Sequence, residues 1–189
     1  MIRTALCACV VAALAGASSP VRVQRVDADV EVDPFQAPAG TAAIVFLFTS
    51  TDCPISNRYA PEVRRLASRF GPDGVVFRLI YPNPADTRDA IRDHMNAFAY
   101  AGVAHAFQDP NQTLVKFTGV TVTPEAAVYA GGRIVYRGRI DDRYVDLGRE
   151  RPAPTVHDLA DSLTAVLSGT PVPRPVTQAV GCFIADFTR

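Results

Sequence analysis

Cys53 has the clearest claim on chemistry in this chain. It stands in "FTSTDCPISNRYAPEVRRL" (48–66), where an apolar run gives way to small polar residues and a proline opens an amphipathic stretch. Proline suits the first helical position, which places the thiol at a helix start. Unpaired backbone amides and the positive end of the helix favour an anion there. The thiolate is the reactive form of cysteine, and such a placement enlarges its population. A redox nucleophile is the sharp reading; a small apolar core residue or a metal ligand are the other two. Ser56 occupies the position that would complete C-x-x-C, so no local dithiol exists, and no histidine lies within 30 residues of Cys53.

The second sulfur is Cys182, 129 residues downstream. The chain has four cysteines, two of them (Cys7, Cys9) in "MIRTALCACVVAALAGASSP". Arg3, the apolar Ala5–Leu14 stretch and the small Ala15-Gly16-Ala17 group have the layout of a signal peptide, residues 1–17. That stretch is too short to be a comfortable membrane span. Cleavage near Ala17 leaves Cys53 and Cys182 in an exported protein, periplasmic or extracellular, where such a pair can form a disulfide.

The elements that must position these sulfurs follow from periodicity. "TAAIVFLF" (41–48) reads as a strand covered on both faces, and "GVVFRLIYP" (74–82) as a second. Tyr59, Val63, Leu66 and Phe70 give the helix after Cys53 one buried face, stopped by Gly71. A helix over about 85–100 carries Ile91, Met95 and Phe98, with Asp86 or Asp89 at its positive end. "VAHAFQ" is a short strand at most. Asp109 caps a short helix with Pro110 at its first position and Leu114 and Phe117 inward. "EAAVYA", Gly131-Gly132 and "RIVYRGRI" make a hairpin. "TVHDLADSLTAVLSG" is the last helix, with Thr155 and Asp158 as a capping box.

Crossover helices between apolar strands imply an α/β domain, its sheet mostly parallel and ending in an antiparallel hairpin. The expected organisation is an N-terminal arm (18–40), a domain (41–169) and an extended C-terminal tail (170–189) with three prolines in residues 171–175. The arm permits a marginal edge strand. A balance of 19 basic and 19 acidic residues, with no basic block, gives no support to a nucleic-acid surface.

Strand, "TDCPI" at a helix start and "VTVTPEAAVY" before a hairpin together resemble the thioredoxin-like three-layer sandwich, in particular its peroxiredoxin and redoxin branch. "DCPISNRYAPE", "TPEAAVYAGGRIVYRGRIDDRY" and "GCFI" are also similar to exported bacterial redoxin-domain proteins labelled thiol-disulfide isomerases. The resemblance makes Cys53 the attacking cysteine and Thr123-Pro124 the residue and cis-proline beside it. Ser50 matches the position of the peroxiredoxin threonine that donates to a peroxide or thiolate. Arg139, or Arg137, would supply positive charge beside the sulfur. The departures are Ser56 for a second cysteine, Phe46 for the peroxiredoxin proline, and no tryptophan at all.

On this reading the tail folds back over the site and Cys182 resolves what Cys53 attacks, with no cofactor and no resident metal. Partners would be a protein thiol or disulfide, or a peroxide. Alternatives are a peroxidase, a copper-binding or delivery protein using Cys53, Cys182 and a histidine, and a non-catalytic binding domain with a structural disulfide. Asp141 and Asp142 read as a surface turn or as groups acting on the thiol or Arg139; Asp52 is a further modulator. His157 reads as a surface residue at a helix start, and His94 as partly buried without a special role.

Overall fold

The apolar stretch before Cys53 is an inner strand of the sheet because every one of its side chains has a covered face to enter. A computed structural model describes residues 21–186; the signal-peptide reading falls outside the described residues. In chain order the elements are β1 (Val23–Arg25), β2 (Val30–Val32), β3 (Ala43–Phe48), α1 (Pro54–Arg58), α2 (Ala60–Phe70), β4 (Val75–Tyr81), α3 (Arg88–Ala97) and β5 (His105–Gln108). Then come α4 (Thr113–Thr118), β6 (Val122–Thr123), β7 (Glu125–Ala130), β8 (Arg133–Gly138), β9 (Tyr144–Asp146), β10 (Arg149–Glu150), α5 (Asp158–Leu167) and β11 (Cys182–Phe183).

Seven strands form one mixed sheet in the order β2-β1-β5-β4-β3-β7-β8. Its parallel part is β5-β4-β3, and antiparallel pairs flank it on both sides. The hairpin β7-β8 was legible; the arm contributes a full antiparallel edge, β1 and β2, rather than one marginal strand. Alternation along β3 divides the core. Ala43, Val45 and Leu47 meet Val63, Leu66 and Phe70 of α2, Ile91 of α3, and Leu159 and Leu163 of α5. Ile44, Phe46 and Phe48 pack on the other face with Leu114 of α4 and Val23. Helices on both faces of one sheet make the three layers. Among the described residues no helix is long and apolar enough to cross a membrane.

Four local expectations give way. The helix after Cys53 is broken at Tyr59, because Pro61 lacks the amide that would continue the ladder from Asn57. The α4 helix begins at Thr113, not Pro110. Asp109 still serves its start, accepting from the amides of Thr113, Leu114 and Val115 at 2.9–3.0 Å. Phe117 is half exposed, against Phe35 at a centroid distance of 4.9 Å. The capping box at Thr155 does not form: Asp142 takes the Thr155 and Val156 amides at 2.6 and 2.9 Å, and α5 starts at Asp158 behind His157.

The tail runs extended over one end of the sheet and is held at two places. Pro175–Thr177 lies along β8, with the Arg137 amide donating to Pro175 at 2.9 Å and the Thr177 amide to Arg137 at 3.0 Å. Farther on, β11 pairs with β6, and the Ile184 amide reaches the Thr121 carbonyl at 3.0 Å. The first contact requires Gly138 (φ 148°), since a Cβ there would overlap the Thr177 backbone and hydroxyl. Gly138→Ala is therefore expected to cost about 1–3 kcal/mol and to loosen this strap. Hydrogen exchange should show faster exchange at the Arg137 and Thr177 amides with β3 and β4 unaffected; wild-type protection at 137 and 177 would refute it.

Candidate active site

Cys53 occupies the N-cap of α1 in an extended conformation, immediately after the turn that closes β3. Its sulfur is 1% exposed as part of the residue, 3.2 Å from the Thr123 carbonyl oxygen and 3.0 Å from the Cys182 sulfur. The Thr123–Pro124 peptide is cis. Thr123 is thus a junction: its carbonyl meets the Cys53 sulfur, and in the β6-β11 register it stands opposite Cys182. Both cysteines are free thiols in this structure, Cys53 buried and Cys182 exposed.

The approach of the tail depends on Gly181. A Cβ at that position would fall on the Thr123 carbonyl and within contact of the Pro124 nitrogen. Only glycine lets the strand lie this close. Lateral support comes from the Gln112 side-chain amide, which donates to the Ala185 carbonyl at 2.6 Å.

The two thiols have opposite acidities. Burial alone would raise the Cys53 pKa, but the hydrogen bonds open to its thiolate, from Cys182, from the Ser56 hydroxyl and amide and from the Thr123 side chain, outweigh it and hold the thiol below its ordinary range. Cys182 is pushed up to about 11 by burial, by the sulfur of Cys53 and by the charge of Asp52. Ser56 sits at the third position of α1 with its hydroxyl buried and without a partner beside the neutral thiol. Its proton is consequently available to the thiolate once Cys53 ionises. The sequence marked Ser56 only as a missing cysteine; the same spacing that places a second sulfur beside the first places this hydroxyl there.

A buried polar network fixes the loop before Cys53. Asp86, 3% exposed, accepts from the Thr51 hydroxyl and from the Thr51 amide at 3.4 Å, and lies 3.3 Å from the Ser50 oxygen. It does not cap α3; Thr87 does, accepting from the Ala90 amide at 3.2 Å. Behind the loop, Tyr81 donates to His94 Nδ1 at 2.9 Å, and His94 Nε2 donates to Asn57 Oδ1 at 2.8 Å. Asn57 in turn donates to the Thr51 carbonyl at 3.4 Å. Both contacts of His94 suit a neutral ring, and burial lowers its pKa accordingly. His94 is 5% exposed, so it is buried within the support of this loop rather than partly buried without a role.

Ser50 comes to the site but its proton is committed, donating to Asp52 at 2.6 Å. Arg139 is not brought to the sulfur. Its guanidinium pairs with buried Asp158 at 2.6 Å, beside Arg174 of the tail at 2.7 Å. Arg137 donates to the Gly119 carbonyl. Asp141 and Asp142 are buried rather than a surface turn: Asp141 accepts from the Tyr59 hydroxyl at 2.6 Å, and Asp142 organises residues 155–156. Among the described residues, the group spaced to hold a metal ion is Glu62, Asp141 and His157, and neither cysteine belongs to it. A cavity of about 240 Å³ opens beside the sulfur pair, lined among others by Ser50, Asn83, Thr123, Cys182 and Phe183.

No family model matches the chain, and no curated protein matches it. Solved structures do. An uncharacterized conserved protein from Geobacillus kaustophilus aligns at a TM-score of 0.74 with 25% identity over 88% of each chain. A hypothetical protein from Sinorhizobium meliloti aligns at 0.72 with 22% identity, over 88% of this chain and 91% of that one. A secreted Mycobacterium tuberculosis disulfide oxidoreductase aligns at 0.51 with 14% identity, over 79% and 95%. The fold is thioredoxin-like. This α/β sandwich is one that redox enzymes use, and it puts Cys53 at the carboxyl end of a central strand, where sites of open α/β sheets gather.

The Ser56 contact has a measurable consequence. In Ser56→Ala the thiolate loses a charge-assisted hydrogen bond of about 1.5–3 kcal/mol. The pH midpoint for alkylation of Cys53 by iodoacetamide is expected to move upward and the rate at pH 7 to fall about four- to fifteenfold, the smaller thiolate fraction being partly offset by the greater nucleophilicity of a more basic thiolate, with the fold intact by circular dichroism. A midpoint equal to wild type would remove Ser56 from the site.

Proposed function

We propose that the protein is an exported thiol–disulfide oxidoreductase of redoxin type, with Cys53 attacking and Cys182 resolving. The observation that carries this reading is the 3.0 Å separation of two sulfurs that lie 129 residues apart in the chain. The acidity of Cys53 supports it, since the thiolate is the attacking species.

In the reducing direction the Cys53 thiolate attacks one sulfur of a substrate disulfide, whose other sulfur leaves as a thiolate. Cys182 then attacks the Cys53 sulfur of the mixed disulfide, giving its proton to the departing substrate thiolate. The substrate gains two electrons and the protein holds a Cys53–Cys182 bridge. A bulky disulfide reaches Cys53 only after β11 lifts from β6, and this ladder is only two residues long on each side. Peroxide is the weaker substrate on this geometry, because the hydroxyl of Ser50 already donates to Asp52. Export rests on the N-terminal residues 1–17 and on the redox compartment that a bridge needs.

Mild oxidation of the protein lacking residues 1–17 is expected to yield a Cys53–Cys182 bridge by peptide mapping, reducible by dithiothreitol. Cys182→Ser should accumulate mixed disulfides on Cys53 and lose at least about tenfold in turnover of a protein disulfide. No bridge would defeat the proposal; a bridge that resists dithiothreitol in the folded state would identify a structural staple instead.

A further inference from the structure

We infer that the oxidised protein is re-reduced by a thiolate that attacks Cys182, not Cys53, so that the tail cysteine is the port through which electrons enter. The inference rests on the pairing proposed above and adds its direction. Three observations support it. Cys53 is 1% exposed, whereas Cys182 is exposed and its neighbour Phe183 is 84% exposed. The cavity beside the pair is lined by Cys182 and not by Cys53. The Cys53 sulfur packs against the Thr123 carbonyl at 3.2 Å, at the buried start of α1.

A thiolate approaches a disulfide along the bond it will break, so it must arrive behind the sulfur it attacks. Cys53 is buried against the Thr123 carbonyl at the start of α1, whereas Cys182 is exposed to solvent. Leaving-group chemistry has the same sense. Attack at Cys182 expels Cys53, whose thiolate is the better stabilised of the two, and the sulfur with the lower pKa leaves faster. Attack at Cys53 would expel the Cys182 thiolate, held beside Asp52 and raised to about 11.

The balanced sequence needs a dithiol. Its first thiolate bonds to the Cys182 sulfur, and the Cys53 sulfur departs with the bonding pair. Its second thiol, deprotonated, attacks the first sulfur of the same partner. Cys182 leaves as a thiolate and takes up a proton, the partner becomes a disulfide, and the protein has gained two electrons. Access with β11 still docked makes the port suited to a partner that reaches an exposed strand edge beside Phe183.

The test uses the oxidised protein and glutathione as the probe. Formation of the bridge is verified first by mass, which separates failure of the pairing from failure of this inference. A short pulse of glutathione is quenched in acid at a series of times, and free thiols are then capped with N-ethylmaleimide. Extrapolated to zero time, glutathione is expected on Cys182 and maleimide on Cys53, with the opposite arrangement at least tenfold rarer. Glutathione on Cys53, or an even split, would overturn the inference. So would a bridge that glutathione opens in urea but not in the folded protein, since an accessible Cys182 must react in both.

Discussion

Two backbone strands of two residues each, lying side by side without a side chain between them at position 181, bring the sulfurs together. Everything distinctive about the site descends from that contact. Thr123 presents its carbonyl to Cys53 and its strand edge to Cys182, and the glycine preceding Cys182 allows the tail to reach it. The helix that carries Cys53 belongs to the sandwich; the neighbouring sulfur is delivered from outside it. The short spacing of a C-x-x-C pair is thereby replaced by a long one, with Ser56 in the position of the second cysteine.

That serine changes the electrostatics more than a spectator would. A second cysteine at the third position of α1 would be both donor and reactant; Ser56 can only donate. On the proposed function, stabilisation of the thiolate and resolution of its adduct are therefore divided between two groups from distant parts of the chain. The remaining polar residues around the loop are structural. Asp86, Asn57, His94 and Tyr81 fix residues 50–52 from below, and none of them offers a charge to the sulfur.

Much of this was legible because it depends on local pattern. The near-continuous apolar run 41–48 marks a covered strand, Pro54 marks the helix start, and the Gly131-Gly132 pair marks the hairpin. What the pattern could not show involves partners remote in sequence. Asp86 has the look of a helix-start acid, yet its carboxylate turns to a loop 35 residues earlier. Arg139 has the look of a charge near the thiol, yet the buried carboxylate of Asp158 claims it. Gly181 resembles any loop glycine until the carbonyl beneath it is seen. The break at Tyr59 was there to be read in Pro61, but the helical spacing of Tyr59, Val63 and Leu66 runs straight across it.

The strap at Thr177 is separate from the pairing at Cys182, and only residues 178–181 lie between them. If β11 comes away while the strap holds, five virtual bonds leash Cys182, and its Cα strays no more than about 18 Å from that of Thr177. Confinement of that kind corresponds to a local concentration in the millimolar range or above. Any adduct formed on Cys53 would then meet its own tail far sooner than a dilute thiol from solution, so the anchor on β8 sets the lifetime of the open state without touching either sulfur.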